Sequence, residues 1–149
     1  MRRFELVTIL TVLLVGCSEK TLTLEEDHTL MVSLPDGRAI RAEVMMKQDD
    51  LLRGMMYRDS LAEDRGMLFV HKKPGPYRYW MYQVKMPLDI IWMDSVRRIV
   101  EIAPKAPPCT TGPKDCAMYG GHAESQYALE LAGGVAEKHG LKVGDTLRF

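Results

Sequence analysis

The sequence predicts a mainly β fold with two short helices, an α+β protein built as a single antiparallel β-barrel or sandwich domain. Apolar and polar residues alternate with the two-residue period of half-buried strands, most clearly over residues 77–84. Turn residues separate such runs at short intervals, beginning with Pro35-Asp36-Gly37. Two short segments have helical spacing instead. Many short strands with few helices indicate a barrel or a sandwich.

The first seventeen residues are predicted to be a signal peptide. Arg2 and Arg3 precede an apolar run over residues 6–15, which is too short to span a bilayer as a mature helix. The run ends in Leu14-Val15-Gly16-Cys17, which is typical of a bacterial lipobox in which the cysteine is acylated. An ordinary signal peptide cleaved nearby, or a small membrane anchor, is the alternative.

Acylation of Cys17 predicts an exported protein that is anchored by lipid to the cell envelope and faces the periplasm. Ser18 follows the cysteine, and the absence of an aspartate there weakly favours the outer membrane over the inner one. We therefore expect a tether over residues 18–30 and one β-rich domain over residues 31–149.

The charge balance argues against nucleic acid as a partner. The whole chain has 20 basic and 20 acidic side chains. Without Arg2, Arg3 and Glu5 the balance is 18 to 19, which leaves a net charge near −1. A chain this close to neutrality has no electrostatic reason to bind nucleic acid. The hydrophobic content of 46% suffices for one core, and the oligomeric state is left open.

The elements follow in order along residues 31–149. A hairpin surrounds Pro35-Asp36-Gly37, and a helix is expected near residues 49–56, where Gly54 lets another group approach the backbone closely. Pro87 ends the strand at residues 77–84 because proline cannot donate to a sheet ladder. Further strands are expected at residues 66–70, 88–93, 97–104, 124–131 and at the C-terminus, with a short helix near residues 133–140. In the strand after Pro87, one face carries Leu88, Ile90 and Trp92, and the other carries Asp89, Ile91 and Met93.

Cys109 and Cys116 form a C-x6-C pair in a loop rich in proline and glycine. In an oxidising compartment this pattern predicts a local disulfide. Metal binding or redox chemistry is the alternative, although no well-spaced histidine accompanies the pair.

Three segments, residues 51–75, 79–94 and 127–149, resemble the bacterial and archaeal domain of unknown function 192 family. They contain Arg-Gly-Met-Met-Tyr-Arg, Asp-Arg-Gly-Met-Leu-Phe, Trp-Met-Tyr-Gln with Pro-Leu-Asp, and Leu-Glu-Leu before a short helix. The resemblance covers about residues 41–149 and implies an exported or lipid-anchored domain, but no particular reaction. Gln83 stands where the family usually has asparagine, and the cysteine-bearing loop is not part of the family pattern.

Charged and amide side chains set among bulky apolar residues are the candidate ligand-binding groups. A pair between Asp89 and Arg53 or Arg58 is expected to form the floor of a shallow cleft, with Trp80 and Met81 as its walls. A purely structural clamp between these charges is the alternative. The candidate residues are Arg53, Arg58, Trp80, Gln83, Asp89 and Glu130.

Three functions are compatible with these residues. The first is a non-catalytic binding or accessory module for a small polar ligand, sugar or peptide. The second is a hydrolase of envelope polymer that uses Asp89 with Glu130 or Asp64 as a carboxylate pair. The third is handling of copper or another metal by methionines, which serve equally well as core residues. No familiar catalytic motif occurs, so the prediction leans against an enzyme, and no cofactor is expected.

Overall fold

A computed structural model describes residues 28–149. The predicted signal peptide, the lipobox with Cys17 and residues 18–27 of the predicted tether lie outside the described residues. The strands are β1 (Thr29–Ser33), β2 (Ala39–Met45), β3 (Arg65–Gly75), β4 (Arg78–Trp80), β5 (Leu88–Met93), β6 (Ile99–Ala106), β7 (Met118–Gly120) and β8 (Ser125–Ala132), and the helices are α1 (Gln48–Arg53) and α2 (Val135–Lys138). The predicted mainly β fold with two short helices is confirmed. No helix within residues 28–149 has the length and apolar character needed to cross a membrane.

Six strands form one mixed sheet in the order β1-β2-β3-β8-β5-β6. The prediction of an antiparallel sheet is wrong at one place, because β2 and β3 are parallel while the other neighbouring pairs are antiparallel. The physical reason for the parallel pairing is the long connection between β2 and β3. Residues 46–64, which include α1, carry the chain back to the starting end of β2, and a crossover of this length allows parallel pairing.

A closed barrel is not confirmed for residues 28–149, and a sandwich-like arrangement fits better. The outer strands β1 and β6 are not paired with each other. The C-terminal residues instead form isolated bridges, Ser33 with Arg148 and Arg98 with Thr146. These bridges link the outer strands at one end through the chain terminus, where a continuous strand had been expected.

The sheet has a core on each face. We call them the α2 face, which contains Leu68, Ile91, Met93, Leu129 and Leu131, and the ribbon face, which contains Met67, Phe69, Ile90, Trp92 and Ala128. Every residue of β5 is buried, and its alternation between the two faces follows the sequence prediction.

A two-stranded ribbon, β4 paired with β7, lies over the ribbon face. Gly120 of β7 has φ +83°, and a Cβ atom at this position would overlap with the Trp92 ring. The ribbon can therefore pack against the sheet only because this residue is glycine. A disulfide joins Cys109 to Cys116, with 5.6 Å between their Cα atoms, and closes the loop that leads into β7. The predicted disulfide is therefore present.

Candidate ligand-binding cavity

A cavity of about 920 Å³ lies on the ribbon face, between the α1 segment and the β4–β7 ribbon. Leu51, Leu52, Met55 and Met56 line it from the α1 segment. Phe69 and Glu130 of the central sheet strands form what we call the floor. The opposite wall is aromatic and is made by Tyr77, Tyr79 and Trp80, with His71 beside them. A mostly apolar cavity with a few polar groups has the general character of a small-molecule site.

Glu130 is the unusual residue of this floor. Its register partners are Met67 on β3 and Ile90 on β5, so the carboxyl group emerges in the middle of an apolar row. The residue is 4% exposed, and its Oε2 atom has no hydrogen-bond partner. Burial raises the pKa of Glu130 to about 8, and the positive charge of Arg58 opposes this increase. At neutral pH the side chain is therefore mainly a neutral acid that can both donate and accept.

Arg58 does not offer a free guanidinium to a ligand. Its Nη1 and Nη2 atoms donate to the two carboxylate oxygens of Glu43 at 2.6 and 2.7 Å. The hydrogen bond with Glu43 is also the main reason that the pKa of Arg58 is raised. Glu43, Met67 and Glu130 occupy successive positions across β2, β3 and β8. Arg58 therefore acts on Glu130 only through its charge, because both of its terminal guanidinium nitrogens donate to Glu43.

The aromatic wall is held together by ring contacts. Tyr79 packs edge-on against Phe69, with ring centroids 5.0 Å apart, and against Trp92 at 5.8 Å. His71 stacks on Tyr77 with 3.4 Å between centroids, and its Nε2 atom lies 2.8 Å from the Tyr79 hydroxyl. These contacts fix the rings, so the wall is already formed without a ligand.

Burial keeps the two titratable side chains His71 and Tyr79 of the aromatic wall in their neutral forms. Burial lowers the pKa of His71 and, with a contribution from the nearby Glu130, raises the pKa of Tyr79. A neutral imidazole and a neutral phenol therefore share the hydrogen bond at physiological pH, and the histidine tautomer determines which one donates.

Gly54 brings backbone close to the floor. It ends α1 with φ +47°, and a Cβ atom built there would lie 3.2 Å from Phe69 Cζ and 4.0 Å from Glu130 Oε2. The prediction that Gly54 permits a close approach is confirmed, and the group that approaches is the Phe69 ring.

The expected pair between Asp89 and an arginine is wrong. Asp89 is fully buried. Its Oδ1 atom accepts from the Lys105 amide at 2.7 Å, and its Oδ2 atom accepts from the amides of Gly134 and Ala136 at 2.9 and 2.7 Å. These amides belong to β6 and to the start of α2, so the carboxylate points to the α2 face. Backbone amides replace the arginine because α2 and its preceding turn have donors that need partners.

The structure brings together three of the six candidate ligand-binding residues. Arg53, Trp80 and Glu130 line the cavity. Arg58 is paired with Glu43, and Asp89 faces the opposite side of the sheet. Gln83 is exposed and has φ +59°, and its carbonyl oxygen accepts from the Tyr57 amide. Met81, which was expected as a cleft wall, is 1% exposed and belongs to the core of the ribbon face.

The lining residues that sequence reasoning missed include the aromatic wall and floor residues Phe69, His71, Tyr77 and Tyr79. The alternation over residues 77–84 placed Tyr77 and Tyr79 on a common side, which was the available signal. It was insufficient because only residues 78–80 form strand β4, and nothing local indicates which sheet this short strand covers.

The arrangement of the described residues gives little support to a metal-binding role. Within residues 28–149, no group of three or more histidine, cysteine, aspartate or glutamate side chains is placed to hold a metal ion. Met55, Met67 and Met81 are each 1% exposed and fill the core of the ribbon face. Methionine serves this purpose well because its flexible thioether adapts to irregular spaces.

Comparison with known proteins now places the chain. The model of the DUF192 family, described as "Uncharacterized ACR", matches residues 31–149. The chain belongs to this family. Among curated proteins, no match is found.

Two solved structures are similar to this member of the DUF192 family. A protein of unknown function from Novosphingobium aromaticivorans DSM 12444 is 29% identical, with a TM-score of 0.72 over 81% of this chain and 84% of that one. A "putative transcription regulator" from Sinorhizobium meliloti 1021 is 28% identical, with a TM-score of 0.70 over 79% of this chain and 89% of that one. The matched region makes up most of both solved chains.

Proposed function

We propose that this DUF192 protein is a lipid-anchored envelope protein that binds a small organic ligand in the cavity above Glu130 and does not transform it. The observation that carries the proposal is the unpartnered Oε2 atom of Glu130 at the floor of a preformed cavity. A buried polar group without a partner costs about 1–3 kcal/mol. A ligand that reaches the Glu130 carboxyl group can supply the missing hydrogen bond and remove this cost, whereas a purely apolar ligand cannot.

The lining indicates the kind of ligand. The Tyr77, Tyr79 and Trp80 rings offer flat apolar surface, and the leucines and methionines of the α1 segment offer adaptable surface opposite. A molecule with an apolar or ring-shaped body and one hydrogen-bonding group would satisfy both walls and the floor. A sugar ring or the side chain of a peptide fits the same description.

The carboxylate geometry favours binding over hydrolysis. Glycoside hydrolysis requires two carboxyl groups on either side of one bond. Asp89 and Glu130 point to opposite faces of the sheet, and all three hydrogen bonds of Asp89 go to backbone amides. Asp64 is exposed at the start of β3 and does not line the cavity. Glu130 therefore has no second carboxylate among the residues that line the cavity.

A ligand screen tests the binding proposal. Residues 18–149 would be screened by ligand-observed NMR against mixtures of small aromatic, saccharide and peptide compounds. Compounds bound by the wild type should lose affinity in Glu130→Leu, which removes the hydrogen-bonding group but keeps an apolar side chain. Glu124→Leu, at an exposed position, is the matched control. Equal binding by both variants would place the ligand elsewhere and overturn the proposal.

The envelope location is tested separately, with the full chain in a bacterial host. Cys17→Ser should abolish palmitate incorporation and signal-peptide removal, and Ser18→Ala should preserve both. Unchanged palmitate labelling of Cys17→Ser would show that the lipobox interpretation is wrong.

A further inference from the structure

The mouth of the cavity carries an unbalanced set of positive charges. Lys47, Arg53, Lys72 and Arg78 all line the cavity, and all four are exposed. They come from both sides: Lys47 precedes α1 and Arg53 is its last residue, whereas Lys72 is on β3 and Arg78 is on β4. Their charged groups therefore surround the opening from opposite walls.

The four cations at the mouth are not engaged in ion pairs within the described residues. By contrast, Lys85, Arg98, Lys105 and Lys138 elsewhere on the surface are each paired with an acid. The single carboxyl group that lines the cavity is Glu130, at the floor. Even with Glu130 ionised, the lining would keep a net charge of +3. A cavity with low-dielectric walls concentrates the field of such charges at its opening.

From this charge distribution, and resting on the proposed function, we infer that the ligand is a small amphiphilic anion. Its apolar body lies along the aromatic wall toward Glu130, and its anionic group lies at the mouth between Arg53 and Arg78. A carboxylate, a sulfonate or a phosphate monoester would each meet this requirement. Arginine is well suited to such groups because its planar fork can donate two parallel hydrogen bonds.

A pair of fluorescent probes that differ by one charge tests this inference. 8-Anilino-1-naphthalenesulfonate is anionic, and N-phenyl-1-naphthylamine has the same ring system without the sulfonate. Titrated into residues 18–149 at low ionic strength, the anion should bind about tenfold more tightly, in keeping with a small number of partly exposed charge contacts. In about 1 M salt, where the screening length is about 3 Å, most of this preference should disappear.

Charge-reversal variants locate the contact. The double substitution Arg53→Glu with Arg78→Glu should remove the preference for the anionic probe over the neutral probe. Lys142→Glu with Arg148→Glu, which reverses two exposed cations outside the cavity lining, makes the same change in net charge and should preserve the preference. If both double variants lose the preference for the anionic probe equally, that preference comes from the overall charge of the protein, and the inference is overturned.

The possible failures of the two proposals are distinguishable. If both probes bind with equal affinity and Glu130→Leu weakens both, the cavity binds organic ligands but does not select anions, so the inference alone fails. If Glu130→Leu changes the affinity of neither probe, both the inference and the proposed function fail.

Decanoate below its micelle concentration and vesicles of phosphatidylglycerol distinguish a free amphiphile from a lipid head group. Displacement of the anionic probe by decanoate supports a small free anion. Displacement by the vesicles without displacement by decanoate would overturn the assignment of a small free ligand in favour of a membrane lipid.

Discussion

Replacement of Glu130 by glutamine should change how the stability of the protein depends on pH. Glutamine has the same shape as protonated glutamic acid but cannot ionise. Burial raises the pKa of Glu130 from an ordinary value near 4.5 to about 8 in the folded protein. Between these two values the folded chain holds a proton at this site that the unfolded chain has released.

The sign of the effect follows from this difference in bound protons. Where the folded state binds more protons, the free energy of unfolding falls as the pH rises. The contribution of Glu130 is therefore complete below about pH 4.5, decreases through the interval and is lost above about pH 8. At about 1.4 kcal/mol per pH unit, the whole interval corresponds to roughly 5 kcal/mol, which is an upper limit.

The useful measurement is the difference in unfolding free energy between Glu130→Gln and the wild type. Urea denaturation at several pH values from 5 to 8.5, followed by circular dichroism, gives both free energies without changing the ionic strength. The difference should be small at pH 5 and should grow to several kcal/mol in favour of Glu130→Gln at pH 8.5. Taking the difference cancels other titrations in this range, such as that of His71, which both proteins share.

Glu124→Gln is the control because it makes the same substitution at an exposed position. Its difference from the wild type should stay within about 0.5 kcal/mol across the range. A constant difference for Glu130→Gln would mean that Glu130 does not titrate in this interval. A difference that shifts toward the wild type with rising pH would mean that Glu130 is stabilised as a carboxylate by Arg58, and the reasoning from burial would be refuted.

Three further predictions follow from the structure. Asp89→Ala should cost about 3–5 kcal/mol by urea denaturation because three backbone amides lose their fully buried acceptor, and a cost below 1 kcal/mol would contradict this. Native protein should resist alkylation until reduction frees Cys109 and Cys116, which mass spectrometry detects as two added groups, and reduction should cost about 2–3 kcal/mol. Gly120→Ala should lower the melting temperature because its methyl group would overlap with Trp92, and an unchanged melting temperature would contradict the close packing.

The sequence by itself determined the features that depend on neighbouring residues. The alternation in β5 correctly assigned Ile90 and Trp92 to one face and Ile91 to the other, because side chains of a strand point to opposite sides at every step. The disulfide between Cys109 and Cys116 was also predictable, because a loop this short keeps the two cysteines close whatever the rest of the chain does.

The tertiary structure alone decided which partners the charged groups have. Asp89 was expected to meet Arg53 or Arg58, but its acceptor oxygens bind amides up to 47 residues away. Arg58 binds Glu43 across the α1 crossover, and this leaves Glu130 alone at the floor of the cavity. The sequence shows that a carboxylate is present, but the choice among distant donors depends on how the sheet and the crossover pack. Asp89 and Arg58 take the partners that this packing brings within hydrogen-bond distance, and Glu130 is left without one.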